Sequence, residues 1–187
     1  MFLRIAKYEL DNIDKFLNLA KKARRSQQQS LERIAAKSGD NTPDDWLVDD
    51  FAQLDDFASL SAEFAIIGLW RCIELYRKRA IRVASGNKAA SNAFKHKAFQ
   101  KELSSLGIVE KCIRCARSVD ELRCLNNSIK HEQRVDGELA GFPRWRSKKG
   151  RELGNLEPHY RRLRPVAERY LIDLADRLDR RTATRGG

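Results

Sequence analysis

Apolar residues recur along this chain at intervals of three and four, sustained strand-type alternation is absent, and the 4 Pro and 10 Gly gather mainly in a few connectors. Helices are therefore predicted throughout. The first, Phe2 to about Lys37, sets Ile5, Ile13, Phe16, Leu17 and Ala20 on one side. Its periodicity weakens through RRSQQQS before Leu31 and Ile34 resume, which fits one long helix or two.

SGDNTPDD punctuates the pattern. Thr42 is a good N-cap, Pro43 suits the first helical position, and Asp44 and Asp45 fall where the helix dipole favours negative charge. The second predicted helix starts there and runs to Ser85 and Gly86, with Gly68 as a place to bend. Phe57, Leu60, Phe64 and Ile67 form one apolar row and Ile66, Leu69, Ile73 and Tyr76 another, so this helix is expected to pack on two sides as the central element of a bundle. The Phe57 row continues in register to Arg71, Glu74 and Lys78. Arg71 and Glu74 either pair with each other at three-residue spacing or belong to a polar site.

A short helix is predicted in SNAFKHKAFQKELSSLG, closed by Gly107. Next comes a helix or helix pair from Ile108 to about His131, with Val119–Asp120 as the joint. Residues 132–158 hold several glycines, Pro143 and no sustained period, and a connector of that length is usually functional or mobile. A last helix, His159 to about Arg181, turns Leu163, Val166, Tyr170, Leu174 and Leu178 inward. The pattern is all-α: a single helical domain over residues 1–181, with an N-terminal segment at 1–38, a core bundle at 42–181, and a frayed tail at 182–187.

Charge adds a class of partner. Against 26 Asp+Glu stand 37 Lys+Arg, a net +11 with pI near 9.7, which attracts a polyanion such as nucleic acid without sequence preference. The apolar run around Phe64–Leu69 stops at Arg71, far short of the roughly 18–20 residues a membrane span requires. MFLRIAKYEL is too short and too charged for a signal peptide, so a cytoplasmic protein without membrane attachment is expected. In a reducing compartment Cys72, Cys112, Cys115 and Cys124 are not expected to form disulfides. CIRC at 112–115 has metal-type spacing, with Cys124 and His131 as further candidates. With no second close ligand pair and an apolar helical pattern around Cys112 and Cys115, these cysteines are expected to act as small hydrophobes, and neither metal nor cofactor is assigned.

The stretch carrying candidate chemistry is LRCLNNSIKHE, residues 122–132. At 100° per residue Leu122, Leu125 and Ile129 share the face expected to dock on the core, while Arg123, Asn127 and His131 share a stripe on nearly the opposite side, joined by Lys130 and Arg134. Such a stripe is usually a solvated face. Two consecutive asparagines in mid-helix, however, oppose local propensity. Asn127 is placed to reach His131 one turn on and Arg123 one turn back.

LRCLNNSIKHE, preceded by SAEFAIIGLWRCIELYRKR and followed by a loop and HYRRLRPVAERYLIDLADRL, resembles the HEPN superfamily ("higher eukaryotes and prokaryotes nucleotide-binding"). The resemblance covers roughly Asp44 to Arg181 as an architecture: a helical bundle with a long central helix and a long loop before the C-terminal helix. Its specific part is an arginine followed within one helix by a histidine. Seven residues separate Arg123 from His131 here, against the family's usual four to six, yet both stay on one face. The resemblance implies a homodimer with the motif helices facing each other. In catalytic members this pair is a metal-independent endoribonuclease, found in toxins, anti-phage systems and CRISPR effectors; other members are not nucleases. Arg123, Asn127 and His131 would then be the active-site set, Glu74 an acidic companion, and Asn126, Lys130 and Arg71 supporting residues. Asn126 is the alternative working amide if the helix is distorted. RNA, an antitoxin or a larger defence complex are the partners this implies.

The residue chemistry fits that reaction. Metal-free RNA cleavage needs a base for the ribose 2′-hydroxyl, an acid for the departing 5′-oxygen and positive charge beside the phosphorane-like transition state. Imidazole, with an ordinary pKa of about 6.5, serves either proton-transfer role, and a guanidinium stabilises the phosphate oxygens. In FPRWRSKKGR, Trp145 lies between Arg144 and Arg146 with Lys148, Lys149 and Arg151 behind. That tryptophan either stacks an unpaired base or pins the loop to the bundle. RRSQQQS and HYRRLR are expected to be solvated positive surface, and His96 has no partner legible in the sequence. His159 belongs either to the site or to a cap. The competing readings are a non-catalytic module binding nucleic acid, nucleotide or protein, and a structural adaptor whose charge serves solubility.

Overall fold

The computed structural model describes residues 2–37, 45–93 and 95–183. It is all-α, with no strand among the described residues: α1 (Phe2–Lys37), α2 (Asp45–Ser85), α3 (Asn87–Asn92), α4 (His96–Ser105), α5 (Ala116–His131) and α6 (Glu157–Ala183). Thr42 and Pro43, expected to start α2, lie outside the described residues, as does the Ile5 side chain.

α1 is one helix of 36 residues. RRSQQQS is polar but made largely of residues that tolerate helix well, so the weakened apolar pattern does not break it. α2 runs 41 residues without interruption. At its crossing with α1, Gly68 lies against Ile13: a Cβ there would sit 3.5 Å from the Ile13 Cδ1 and Cγ1 atoms. Gly86, at φ 85, ends α2 and opens α3.

α4 is closed by a Schellman motif. Gly107 N–H donates to the Ser104 carbonyl and Ile108 N–H to that of Leu103, both at 2.9 Å, with Gly107 in the left-handed region at φ 72. The expected helix over 108–131 is shorter than its apolar pattern indicates. A 3-10 turn occupies Glu110–Cys112, and Cys115, left-handed at φ 64, is the boundary from which α5 begins. The joint is thus at Cys115 and not at Val119–Asp120, and Cys112 is an exposed turn residue rather than a helical hydrophobe. The C-terminal tail is shorter than expected, because Thr182 and Ala183 still belong to α6.

The core joins Leu10 and Leu17 of α1, Ile66, Leu69 and Ile73 of α2, Phe99 and Leu103 of α4, Leu122 and Leu125 of α5, and Leu163, Tyr170 and Leu174 of α6. One expectation fails here. Phe57, Leu60 and Phe64 are 43%, 49% and 58% exposed, so the row they share with Arg71 and Glu74 is not buried. Two apolar rows predict two covered sides only if enough elements exist to cover them, and α1, α5 and α6 leave Phe57, Leu60 and Phe64 bare while Ile67 is partly buried against the core. Arg71 and Glu74 therefore need no burial-based explanation, and no ion pair joins them.

Ordinary van der Waals space at Gly68 and the helix cost of glycine lead to one expectation. Gly68→Ala should raise stability by about 0.5–1 kcal/mol in chemical denaturation, whereas Gly68→Leu, forced between α1 and α2, should lower it.

Candidate functional site

From Glu121 onward α5 presents a narrow polar strip, because the other side chains there are buried. Leu122, Leu125 and Ile129 are buried in the core as expected, and Glu121, Cys124, Asn126 and Ser128 are buried as well. Val135, Leu139 and Trp145 of the connector turn inward beside them. Apart from its first turn and Asp120, what remains is Arg123 and Asn127, partly exposed, with Lys130 and His131 exposed.

The strip is less connected than its spacing implies. Arg123 leans toward the helix N-terminus, as helical side chains do. Its Nε donates to Asp120 Oδ1 at 2.8 Å and its Nη2 to Glu138 Oε2 at 3.1 Å. Burial alone would lower its pKa, but the Asp120 and Glu138 hydrogen bonds outweigh it and hold the guanidinium above its ordinary value. Asn127 Oδ1 accepts from Asn126 Nδ2 at 3.4 Å; no hydrogen bond joins Asn127 to Arg123 or His131. Asn126 is 1% exposed, and its Oδ1 is buried without a hydrogen-bond partner. Eight helical positions put Arg123 and His131 about 12 Å apart along the axis. One chain thus places the three residues on one side without assembling them into a contact network. Glu74, partly buried, and Arg71, exposed, lie on the uncovered row of α2 and make no hydrogen bond or ion pair with the strip.

The connector is ordered by its own hydrogen bonds. Val135 N–H donates to the Arg151 carbonyl and Gly150 N–H to the Val135 carbonyl, both at 2.9 Å. Trp145, 1% exposed, takes the anchoring alternative: its Nε1 donates to Glu121 Oε1 at 2.8 Å and its ring stacks on His159 at 4.2 Å between centroids. Glu121 also accepts both terminal nitrogens of Arg162 from α6. Arg134, Arg144, Arg146, Lys148, Lys149 and Arg151 are all exposed. Among the described residues, Arg134 alone of these six is in an ion pair, with Glu152 at 4.0 Å.

HYRRLR departs from the solvated surface expected of it. Arg162 holds Glu121, and Arg164 pairs with Asp11, Asp14 and Glu168, locking α6 to α1. The cysteines divide as well. Burial pushes the Cys124 thiol up to about 12 despite the nearby Arg123, so it is no thiolate near neutrality. Among the described residues no group of three or more His, Cys, Asp or Glu side chains is placed to hold a metal ion.

A second polar centre has no signal in the local sequence. Arg77, 3% exposed, donates to Tyr170 Oη at 3.1 Å and to Glu110 Oε1 at 2.7 Å, with the rings of Trp70, Phe99 and Tyr170 around its guanidinium. Gln100 Nε2 donates to the other oxygen of Glu110 at 2.9 Å. Beside this cluster opens a cavity of about 350 Å³ lined by His96, Gln100, Glu110, Lys111, Ala116, Arg117 and Asp120. It adjoins the α5 strip through Asp120, the partner of Arg123. Burial, opposed by Glu110 and aided by Arg77, holds the His96 pKa below its ordinary value. The participants come from four segments far apart in sequence, so only folding brings them together.

His159 supplies a pH signature. Burial first, then Arg162 and Lys148, lowers its pKa from the ordinary 6.5 to about 4, and its Nδ1 is buried without a hydrogen-bond partner. The unfolded chain binds a proton near pH 6.5 that the native ring refuses until about pH 4, so acidification favours unfolding, by about 1.4 kcal/mol per pH unit at most. Urea denaturation should show lower stability at pH 5 than at pH 7, by up to about 2 kcal/mol from this group. His159→Phe should reduce the difference, leaving the contribution of His96, which has the same sign.

No family model matches the chain, and no curated protein or solved structure shows a significant match to it.

Proposed function

We propose that this chain is a HEPN-like RNA-binding protein that cleaves RNA without a metal when the α5 strips of two copies meet. The observation that carries this reading is the setting of His131. It stands in solvent at the end of α5, next to exposed Lys130 and followed by the connector's exposed cations. Among the described residues Arg144, Arg146, Lys148, Lys149 and Arg151 have no ion-pair partner, although Lys148 lies over the Trp145 ring, and their charge can attract a polyanion.

In this reading the cations hold successive phosphates and bring a ribose to the paired strips. One His131 accepts the 2′-hydroxyl proton, the 2′-oxygen attacks phosphorus, and a second imidazolium protonates the departing 5′-oxygen. The products are a 2′,3′-cyclic phosphate and a 5′-hydroxyl. Arg123 stabilises the transition-state charge, and Asn127 orients the imidazole or donates to the same phosphate. A toxin or anti-phage role, with an antitoxin or a larger complex as partner, follows from the family resemblance.

One observation favours the second reading, a non-catalytic RNA-binding module. Arg123 is already held by Asp120 and Glu138, and cleavage requires it to exchange at least one of them for phosphate.

Mixed RNA incubated with the protein in EDTA should be cleaved to cyclic-phosphate ends, and His131→Ala should lose about 100-fold or more of that rate. Binding should weaken steeply with salt, and Lys148→Glu with Lys149→Glu should weaken it further. Binding without cleavage would select the non-catalytic module, and the absence of both would overturn the two readings together.

A further inference from the structure

α1 and α2 run antiparallel, with Glu9 bonded to Cys72 and Arg79, Ile13 against Gly68, and Arg24 paired with Asp55. Only one side of this helix pair is covered. There Tyr160 and Arg164 of α6 hold Asp14 and Asp11, and Ile66, Leu69 and Ile73 are fully buried. At 100° per residue, Phe16, Leu19 and Ala23 of α1 and Phe57, Leu60 and Phe64 of α2 fall together on the opposite side. Phe16 and Leu19 are 44% and 67% exposed, comparable to the α2 row. Three phenylalanines and two leucines thus form an apolar surface of the kind that marks an interaction site.

The edges of that surface indicate its occupant. The outer edge of α1 carries Lys15, Lys22 and Arg33, and the outer edge of α2 carries Asp49, Asp56 and Glu63. Among the described residues none of these six is in an ion pair. A surface bordered by cations on one side and carboxylates on the other is complementary to itself, as a two-fold interface requires. A symmetry axis parallel to the helices lays α1 of each copy over α2 of the other, basic edge on acidic edge.

We propose that a second copy of this chain covers the exposed face of α1 and α2, forming a four-helix bundle around Phe16, Phe57, Leu60 and Phe64. This contact is independent of the proposed RNA chemistry. It lies on the side of α2 turned away from the core, so it leaves the His131 strip uncovered. A chain that also pairs through α5 would assemble beyond a dimer.

Light scattering on the full chain at micromolar concentration tests the proposal. Phe57→Asp with Phe64→Asp should halve the mass of the wild-type assembly while circular dichroism stays unchanged, because both rings are about half exposed within one chain. Asp56→Lys with Glu63→Lys should weaken self-association at least tenfold, and adding Lys15→Glu with Lys22→Glu should restore it. This charge exchange decides the matter should the phenylalanine variant lose helicity. His131→Ala should retain the contact. A wild-type chain that stays monomeric, a phenylalanine variant of native helicity that keeps its mass, or a charge exchange without restoration would overturn the proposal. Loss of RNA cleavage alone would leave it untouched.

Discussion

The buried carboxylate of Glu121 fixes the arrangement on which the candidate RNA surface depends. A carboxylate removed from water must be met by donors, and here they are the Trp145 indole and the Arg162 guanidinium. One side chain thereby holds α5, the connector and α6 at a single point. Trp145, once seated, covers the flank of α5 and stacks on His159. The connector's exposed cations are consequently displayed from a base fixed on α5 and α6.

The same device recurs at two other places. Arg77 meets Glu110 and Tyr170 inside an aromatic cage, and Arg164 gathers Asp11, Asp14 and Glu168. Each guanidinium joins segments distant in sequence, its planar fork satisfying several acceptors at once. Several of the chain's arginines are therefore internal ties, and the net charge of +11 describes its available positive surface poorly. Residues 130–151 and the outer edge of α1 carry part of that surface, and exposed cations between Arg82 and Arg117 carry more of it.

α5 contrasts with these ties. Arg123 is held, but by Asp120 and Glu138 and not by its presumed companions, while Asn127 and His131 have no bond to each other. A helix rigid enough to set three groups in line still leaves about 12 Å between its first and last, too far for direct cooperation within one chain. On this geometry, the chemistry proposed for His131 would need a second copy or the RNA itself to complete it. The apolar face of α1 and α2 is incomplete in another sense, since its phenylalanines find no cover in the chain that carries them.

Periodicity determined much of this protein: the all-α class, the long helices that became α1, α2 and α6, the buried row of Leu122, Leu125 and Ile129, and the outward polar strip opposite it, although it does not decide whether α1 is one helix or two. These follow from local spacing at 3.6 residues per turn, which a sequence displays directly. Spacing records which residues share a side, but not how many neighbours arrive to cover it. The Phe57 row was therefore legible as apolar, while its exposure was settled only when α1, α5 and α6 took their places. The left-handed Cys115, the anchoring of Trp145 and the Arg77 centre also required the tertiary structure, because each depends on partners tens of residues away. Charge was countable in the sequence; which arginines pair inside and which stay exposed was decided by where folding brought the carboxylates.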